Sequence, residues 1–132
     1  MKNLYHLLQQ ADLNRLKESE EYEPDSLVLD GFIHLAYKEQ LPFILQQFFV
    51  PALLKSGLLS EGEGLQNVGL YLVEIAFAKL TAKVVDELAV GLNKLDSLEL
   101  YPHLYGGLNR EAILTISALH INAQGDYLIS AL

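Results

Sequence analysis

No apolar run in this sequence is long. The richest stretches are cut by Gln46, Gln47 and Lys55, and by Glu74 and Lys79. None reaches the roughly 18–20 residues a membrane-crossing helix needs. The hydrophobic content, 51% of 132 residues, is therefore dealt out in short pieces. Such pieces bury their apolar faces only by folding back on one another as short strands and helices. The same content excludes a disordered chain. With no linker, repeat or low-complexity tract, one domain over residues 1–132 is expected. The first residues reach Gln9, Gln10 and Asp12 too soon for a signal-peptide apolar region. A cytoplasmic location and no membrane partner are the resulting expectations.

Charge narrows the partners. Asp plus Glu number 17 against 9 Lys plus Arg, a net −8, and the arginines are Arg15 and Arg110 alone. Phosphate contacts supply most of the affinity of a nucleic-acid binder, so no nucleic-acid partner is expected. The sequence has no cysteine, which removes disulfides, thiolate nucleophiles and Cys-ligated zinc.

Periodicity divides the chain into short elements. Residues 3–7 read as a strand, and Leu13 and Leu16 among polar neighbours predict a short helix capped near Asp12. Glu18, Glu20, Glu21 and Glu23 suit a solvated helix end and loop. Pro24-Asp25-Ser26 and Asp30-Gly31 are turn chemistry, and Phe32-Ile33-His34-Leu35 predicts a second strand. A helix is expected over residues 38–54 and a mobile loop over 56–64. Residues 68–95 fit either a continued helix or strands. The Val, Ile, Tyr and Phe density around 71–77 favours a strand, followed by a second over 83–87. Residues 96–107, with Pro102, Gly106 and Gly107, read as irregular, and 109–112 as one helical turn. Residues 113–121 and 127–129 predict a closing hairpin.

Three histidines stand where polar groups gather around clefts. His6 ends the first strand, His34 ends the second, and His103 lies in the Pro-Gly-aromatic segment. One shared pocket is expected, walled by Tyr5, Tyr101 and Tyr105. Crowding would hold the cluster near neutral at pH 7. The simpler reading keeps each histidine hydrogen-bonded to backbone as part of the core. No H-x-x-x-H pair anchors a metal, and none is expected. No G-x-S-x-G supports a serine nucleophile. His120 has no motif around it and reads as a surface residue.

Taken in order, several segments carry a resemblance. They are Tyr5-His6, Pro24-Asp25-Ser26-Leu27, Asp30-Gly31-Phe32-Ile33-His34, Gln40 and Tyr101-Pro102-His103-Leu104-Tyr105-Gly106. The chain resembles, over nearly its whole length, the domain-of-unknown-function 952 family of small bacterial and plant proteins. Leu108 to Ile113 also fits. Ala36 departs from the usual serine or threonine, which weakens a hydroxyl role there. Residues 50–69 exceed the family's usual connection, which suggests an inserted loop near the pocket rim.

The family is similar in fold to ADP-ribosyltransferases. That resemblance implies a small α+β domain of two facing, mostly antiparallel sheets, with two helices near the N-terminus. It also implies an NAD-type site, with His6 holding a ribose, Tyr37 as an aromatic beside nicotinamide, and Glu87, or next Glu99, stabilising an oxocarbenium ion. His6 and Glu87 are then the catalytic candidates, and Tyr5, His34, Tyr101, His103 and Tyr105 the ligand-binding ones. The related phosphotransferases grip phosphates with several basic residues, which two arginines do not supply. The expected function is an NAD- or nucleotide-binding, transferase-like domain. The alternative is a binding module of the same fold that holds a small molecule or a peptide without turnover.

Overall fold

The computed structural model describes residues 2–45, 69–88, 99–121 and 127–131. Its strands are β1 (Leu4–Gln9), β2 (Glu21–Tyr22), β3 (Ile33–His34), β4 (Leu70–Ile75) and β5 (Lys83–Leu88). They continue with β6 (Leu100–Tyr105), β7 (Leu108–Asn109), β8 (Ile113–Ile121) and β9 (Tyr127–Ala131). Three short helices lie among the first 45 residues: α1 (Gln10–Glu18), α2 (Asp25–Leu29) and α3 (Leu41–Ile44). One four-stranded sheet runs β1-β4-β8-β9, a three-stranded sheet runs β3-β6-β5, and β2 pairs with β7. All these pairs are antiparallel. The chain is thus a small α+β fold of antiparallel sheets and few helices. Among the described residues no helix is long and apolar enough to cross a membrane.

Period-two alternation decides what each face of β1 does. Leu4 and Leu8 point between the two larger sheets, where they meet Val73, Ile75, Ile33, Leu104 and Leu108, with Leu13 and Leu16 of α1 closing the core. His6 shares their face of the strand, opposite Val73. Tyr5 and Leu7 point the other way, onto a second apolar cluster that includes Leu41, Leu45, Leu70 and Leu72. One strand therefore delivers His6 and Tyr5 to opposite sides of its sheet.

Several boundaries differ from expectation. The helix begins at Gln10, which leaves Asp12 in its first turn, where a carboxylate suits the positive end of the helix. The Pro24-Asp25-Ser26 turn is the start of α2, with Pro24 in extended conformation just outside it. The acidic loop contains β2, paired to β7. The expected helix over 38–54 is a 3₁₀ turn at Lys38–Gln40 followed by α3, within what is described. Residues 46–54, the loop expected at 56–64 and all but the last residue of the 50–69 stretch lie outside the described residues. The strand after Gly69 ends at Ile75, and Phe77–Lys79 is a 3₁₀ turn. β5 is a strand, as expected over 83–87, rather than a continued helix, and β8 and β9 form the closing pair.

The largest correction concerns residues 96–107. Residues 100–105 are not irregular; they form β6, the middle strand of its sheet. Pro102 is tolerated there for a specific reason. A strand residue directs its N–H and C=O to the same neighbour. The Pro102 carbonyl accepts from the Leu35 N–H at 3.0 Å, just past the end of the two-residue β3 ladder. The missing N–H therefore falls where that ladder has ended, and the pairing to β5 is undisturbed.

Candidate functional site: an imidazole–carboxylate cluster and the His6 cavity

The β3–β6 register sets His34 directly opposite His103. Their rings meet edge to face with centroids 5.6 Å apart. Phe32, two residues before His34 and so on the same face, stacks flat on His103 at 3.9 Å and 13°. It also meets His34 at 4.8 Å and Tyr105 at 5.4 Å. His103 is only 2% exposed beneath this cover.

Each imidazole carries its own carboxylate. His34 Nε2 donates to Asp30 Oδ2 at 2.8 Å, from the turn that opens β3. His103 Nδ1 donates to Glu87 Oε1 at 3.0 Å, from the neighbouring strand β5. Tyr105 O–H donates to that same oxygen. These hydrogen bonds, Tyr105 first and His103 second, hold the Glu87 carboxyl below its ordinary value. Desolvation is the main cause that lowers the His103 imidazole, against the opposing pull of Glu87. Glu87 thus stands as an anion and His103 as a neutral ring at pH 7. With a hydrogen on Nδ1, that ring keeps a bare lone pair on Nε2.

His6 joins this cluster through backbone alone. Its Nδ1 lies 2.8 Å from the His34 carbonyl oxygen. A carbonyl only accepts, so Nδ1 carries the hydrogen, and burial pushes the imidazole below its ordinary value. The neutral ring then has a bare Nε2 as well. It lines a cavity of about 180 Å³ with Tyr22, Asp12, Asp25 and Ser26. Tyr22 sits 5.9 Å from the His6 ring. This cavity does not include His34, His103 or Glu87.

The residues singled out in the sequence therefore divide. His34, His103, Tyr105 and Glu87 come together. His6 lines a neighbouring cavity and touches the group only at the His34 carbonyl. Tyr5 lies on the opposite face of β1, where its hydroxyl donates to Glu74 at 3.1 Å. Tyr101 is buried on the same face of β6 as His103. Tyr37 donates to Asp86 at 2.7 Å, and burial is the main cause that pushes its phenol up to about 12. Glu99 accepts from the buried Gln40 at 3.3 Å, which also donates to the Leu100 carbonyl at 2.9 Å. Among the described residues, no group of three His, Asp or Glu side chains could hold a metal ion. Sequence reading passed over Phe32 and Asp30. The Asp30-x-x-x-His34 spacing was the available signal for the second.

These features define a small antiparallel α+β protein in which His6, His34 and His103 are each tied to an acceptor. The family model described as "Protein of unknown function (DUF952)" matches residues 7–59 and 62–116, and the chain belongs to that family. Its fold is similar to the crystal structure of protein CC0527 from Caulobacter crescentus, with a TM-score of 0.66 and 22% identity. The match covers 96% of this chain and 93% of that one. A double methionine variant of the same protein matches at 21% identity, with the same coverage and TM-score. Among curated proteins, none matches this chain.

Proposed function

We propose that this protein binds the nicotinamide-riboside part of an NAD-type ligand in the His6 cavity, as a transferase-like member of the ADP-ribosyltransferase-like folds. The observation that carries the reading is the tethering of His6 Nδ1 to the His34 carbonyl, which fixes the ring and leaves Nε2 as an acceptor beside Ser26 and two carboxylates. A ribose diol donates to such acceptors, and Asp12 and Asp25, which share the one Arg15 guanidinium at 3.8 and 3.2 Å, leave a net negative charge that suits a cationic nicotinamide ring. A volume near 180 Å³ takes one or two small rings, below the roughly 300–1,000 Å³ of whole-ligand pockets.

The described residues fit that half of the ligand and not its diphosphate. Arg15 is engaged with Asp25 and the Glu23 carbonyl, and Arg110 with the carbonyls of Lys17 and Ser19. Turnover would need a carboxylate facing the developing positive charge, and Glu87, held as an anion in the neighbouring cluster, is the candidate that a transferase would have to bring to the ligand. A second reading, binding without turnover, is favoured by one observation: Glu87 does not line the His6 cavity.

Calorimetry with nicotinamide riboside, NAD and ADP-ribose tests the binding, and nicotinamide release tests turnover. Nicotinamide riboside is expected to bind, with His6→Ala abolishing the heat. Release lost in Glu87→Gln supports the transferase reading, and binding without release supports the second. No binding of any of the three sinks both.

A further inference from the structure

We propose a second ligand site on the opposite face of the four-stranded sheet, built around Glu74 and selective for a small zwitterion of the α-amino-acid class with an apolar side chain. Three side chains converge on the Glu74 carboxylate. Asn3 Nδ2 and Tyr5 O–H donate to Oε2 at 2.9 and 3.1 Å, and Thr115 Oγ1 donates to Oε1 at 3.3 Å. A carboxylate has about four acceptor positions. Two donors fill Oε2, one fills half of Oε1, and one position remains open on Oε1. The carboxylate is oriented from three directions and can still accept one strong hydrogen bond.

The surroundings define what that bond would come from. Glu74 opens onto a cavity of about 270 Å³ whose lining includes Lys38, Ser117, Leu41 and Leu72. Among the described residues, no carboxylate pairs with Lys38. The cavity therefore offers one anion with a free acceptor, one cation, and an apolar surface from the two leucines. An ammonium at Glu74, a carboxylate at Lys38 and an aliphatic side chain against Leu41 and Leu72 use all three. A metal ion or a phosphate would use only one.

Backbone irregularity accompanies the site. The β4–β8 register shifts between Glu74 and Ile75, so that Glu74 pairs with Thr115 while Ile75 pairs with Ile113. Bulges of this kind bend a strand locally and re-aim side chains, and they recur beside binding sites. The Glu74 and His6 cavities share no lining residue. They lie on opposite faces of β1, so this proposal stands or falls apart from the one for the His6 cavity.

The test is calorimetry on the full chain with L-leucine, set against leucinol, which lacks the carboxylate, and 4-methylpentanoate, which lacks the ammonium. Leucine is expected to bind, and each singly charged analogue to bind at least about tenfold more weakly. Glu74→Gln keeps the shape of the side chain and is expected to weaken leucine binding by at least about tenfold, and Lys38→Met likewise. Should Glu74→Gln fail to fold, Lys38→Met and the two analogues carry the test alone. Three results would overturn the proposal: no leucine binding up to about 10 mM, equal binding of either analogue, or leucine affinity unchanged in the variants that fold.

Discussion

Truncating His103 to alanine removes a ring that is 2% exposed and lies flat against Phe32 at 3.9 Å. Deleting a buried side chain of this size costs roughly 2–4 kcal/mol from lost transfer energy and the void it leaves, and aromatic stacking lies within the upper part of that range. The Glu87 hydrogen bond adds little to the loss, because the Glu87 side chain is 38% exposed and water replaces the imidazole. About 3 kcal/mol is therefore expected, a fall in Tm of roughly 10 °C for a chain of this length. Phenylalanine at the same position keeps an aromatic ring on the Phe32 stack, gives up the hydrogen bond and adds a little volume, so His103→Phe is expected to cost about 1 kcal/mol, less than His103→Ala. Urea and thermal denaturation followed by circular dichroism read both variants. If His103→Phe destabilises as much as His103→Ala, packing against Phe32 is not what holds the ring. If His103→Ala costs under about 1 kcal/mol, the ring is not part of the buried structure.

Acid should destabilise the fold in two windows. His6 and His103 both have folded-state values below the ordinary 6.5, so the unfolded chain takes up protons that the folded chain refuses. Stability then falls as pH drops through about 6.5 toward the folded values. Glu87, also lowered, adds a further loss at more acid pH, below its ordinary value. Urea midpoints across pH 4–8 would show the first window as a slope that shrinks in His6→Gln, and an unchanged slope would discount the buried neutral ring. Gly31 has φ of 85° with open space where a Cβ would stand. Gly31→Ala is expected to cost about 1 kcal/mol from backbone conformation alone, and Gly31→Asn less; denaturation midpoints check the order. Asn109, 8% exposed, donates to the Lys79 carbonyl at 2.9 Å and accepts from the Thr81 N–H at 3.1 Å. Asn109→Ala leaves both groups without this partner and should cost about 2 kcal/mol in equilibrium unfolding.

How legible these features were in the sequence differs by element, for physical reasons. β1 was readable as a short apolar run with an aromatic, β5 from its two valines beside a strand-rich segment, and the β8–β9 pair from two apolar runs about a glycine-containing turn sequence. Period-two alternation along β1 sent His6 and Tyr5 to opposite sides, which ruled out the single pocket expected for them. β6 was misread because Pro102 and the Gly106-Gly107 pair are loop signals, and only the end of the β3 ladder makes that proline harmless. β2 was hidden in an acidic run because two residues carry no periodicity. Of the cluster, His34, His103, Tyr105 and Glu87 were legible as candidate site residues. Asp30 and Phe32 stood in the same motif as His34 without a site role, because a turn aspartate and a strand phenylalanine become ligands and lids only when the register places His34 beside His103. Glu74 gave no signal either, since its three donors come from β4's neighbours and the chain's first residues.

The most direct measurement of the His6 cavity is nitrogen NMR of the imidazoles during titration with nicotinamide riboside. Free protein at pH 7 is expected to show His6 as a neutral ring with its hydrogen on Nδ1, as donation to the His34 carbonyl requires. Ligand should move the His6 Nε2 resonance in a saturable way, while His103 Nδ1, held by Glu87, stays in place. A His6 ring protonated on Nε2 alone, or an Nε2 resonance indifferent to the ligand, would contradict the assignment of this cavity.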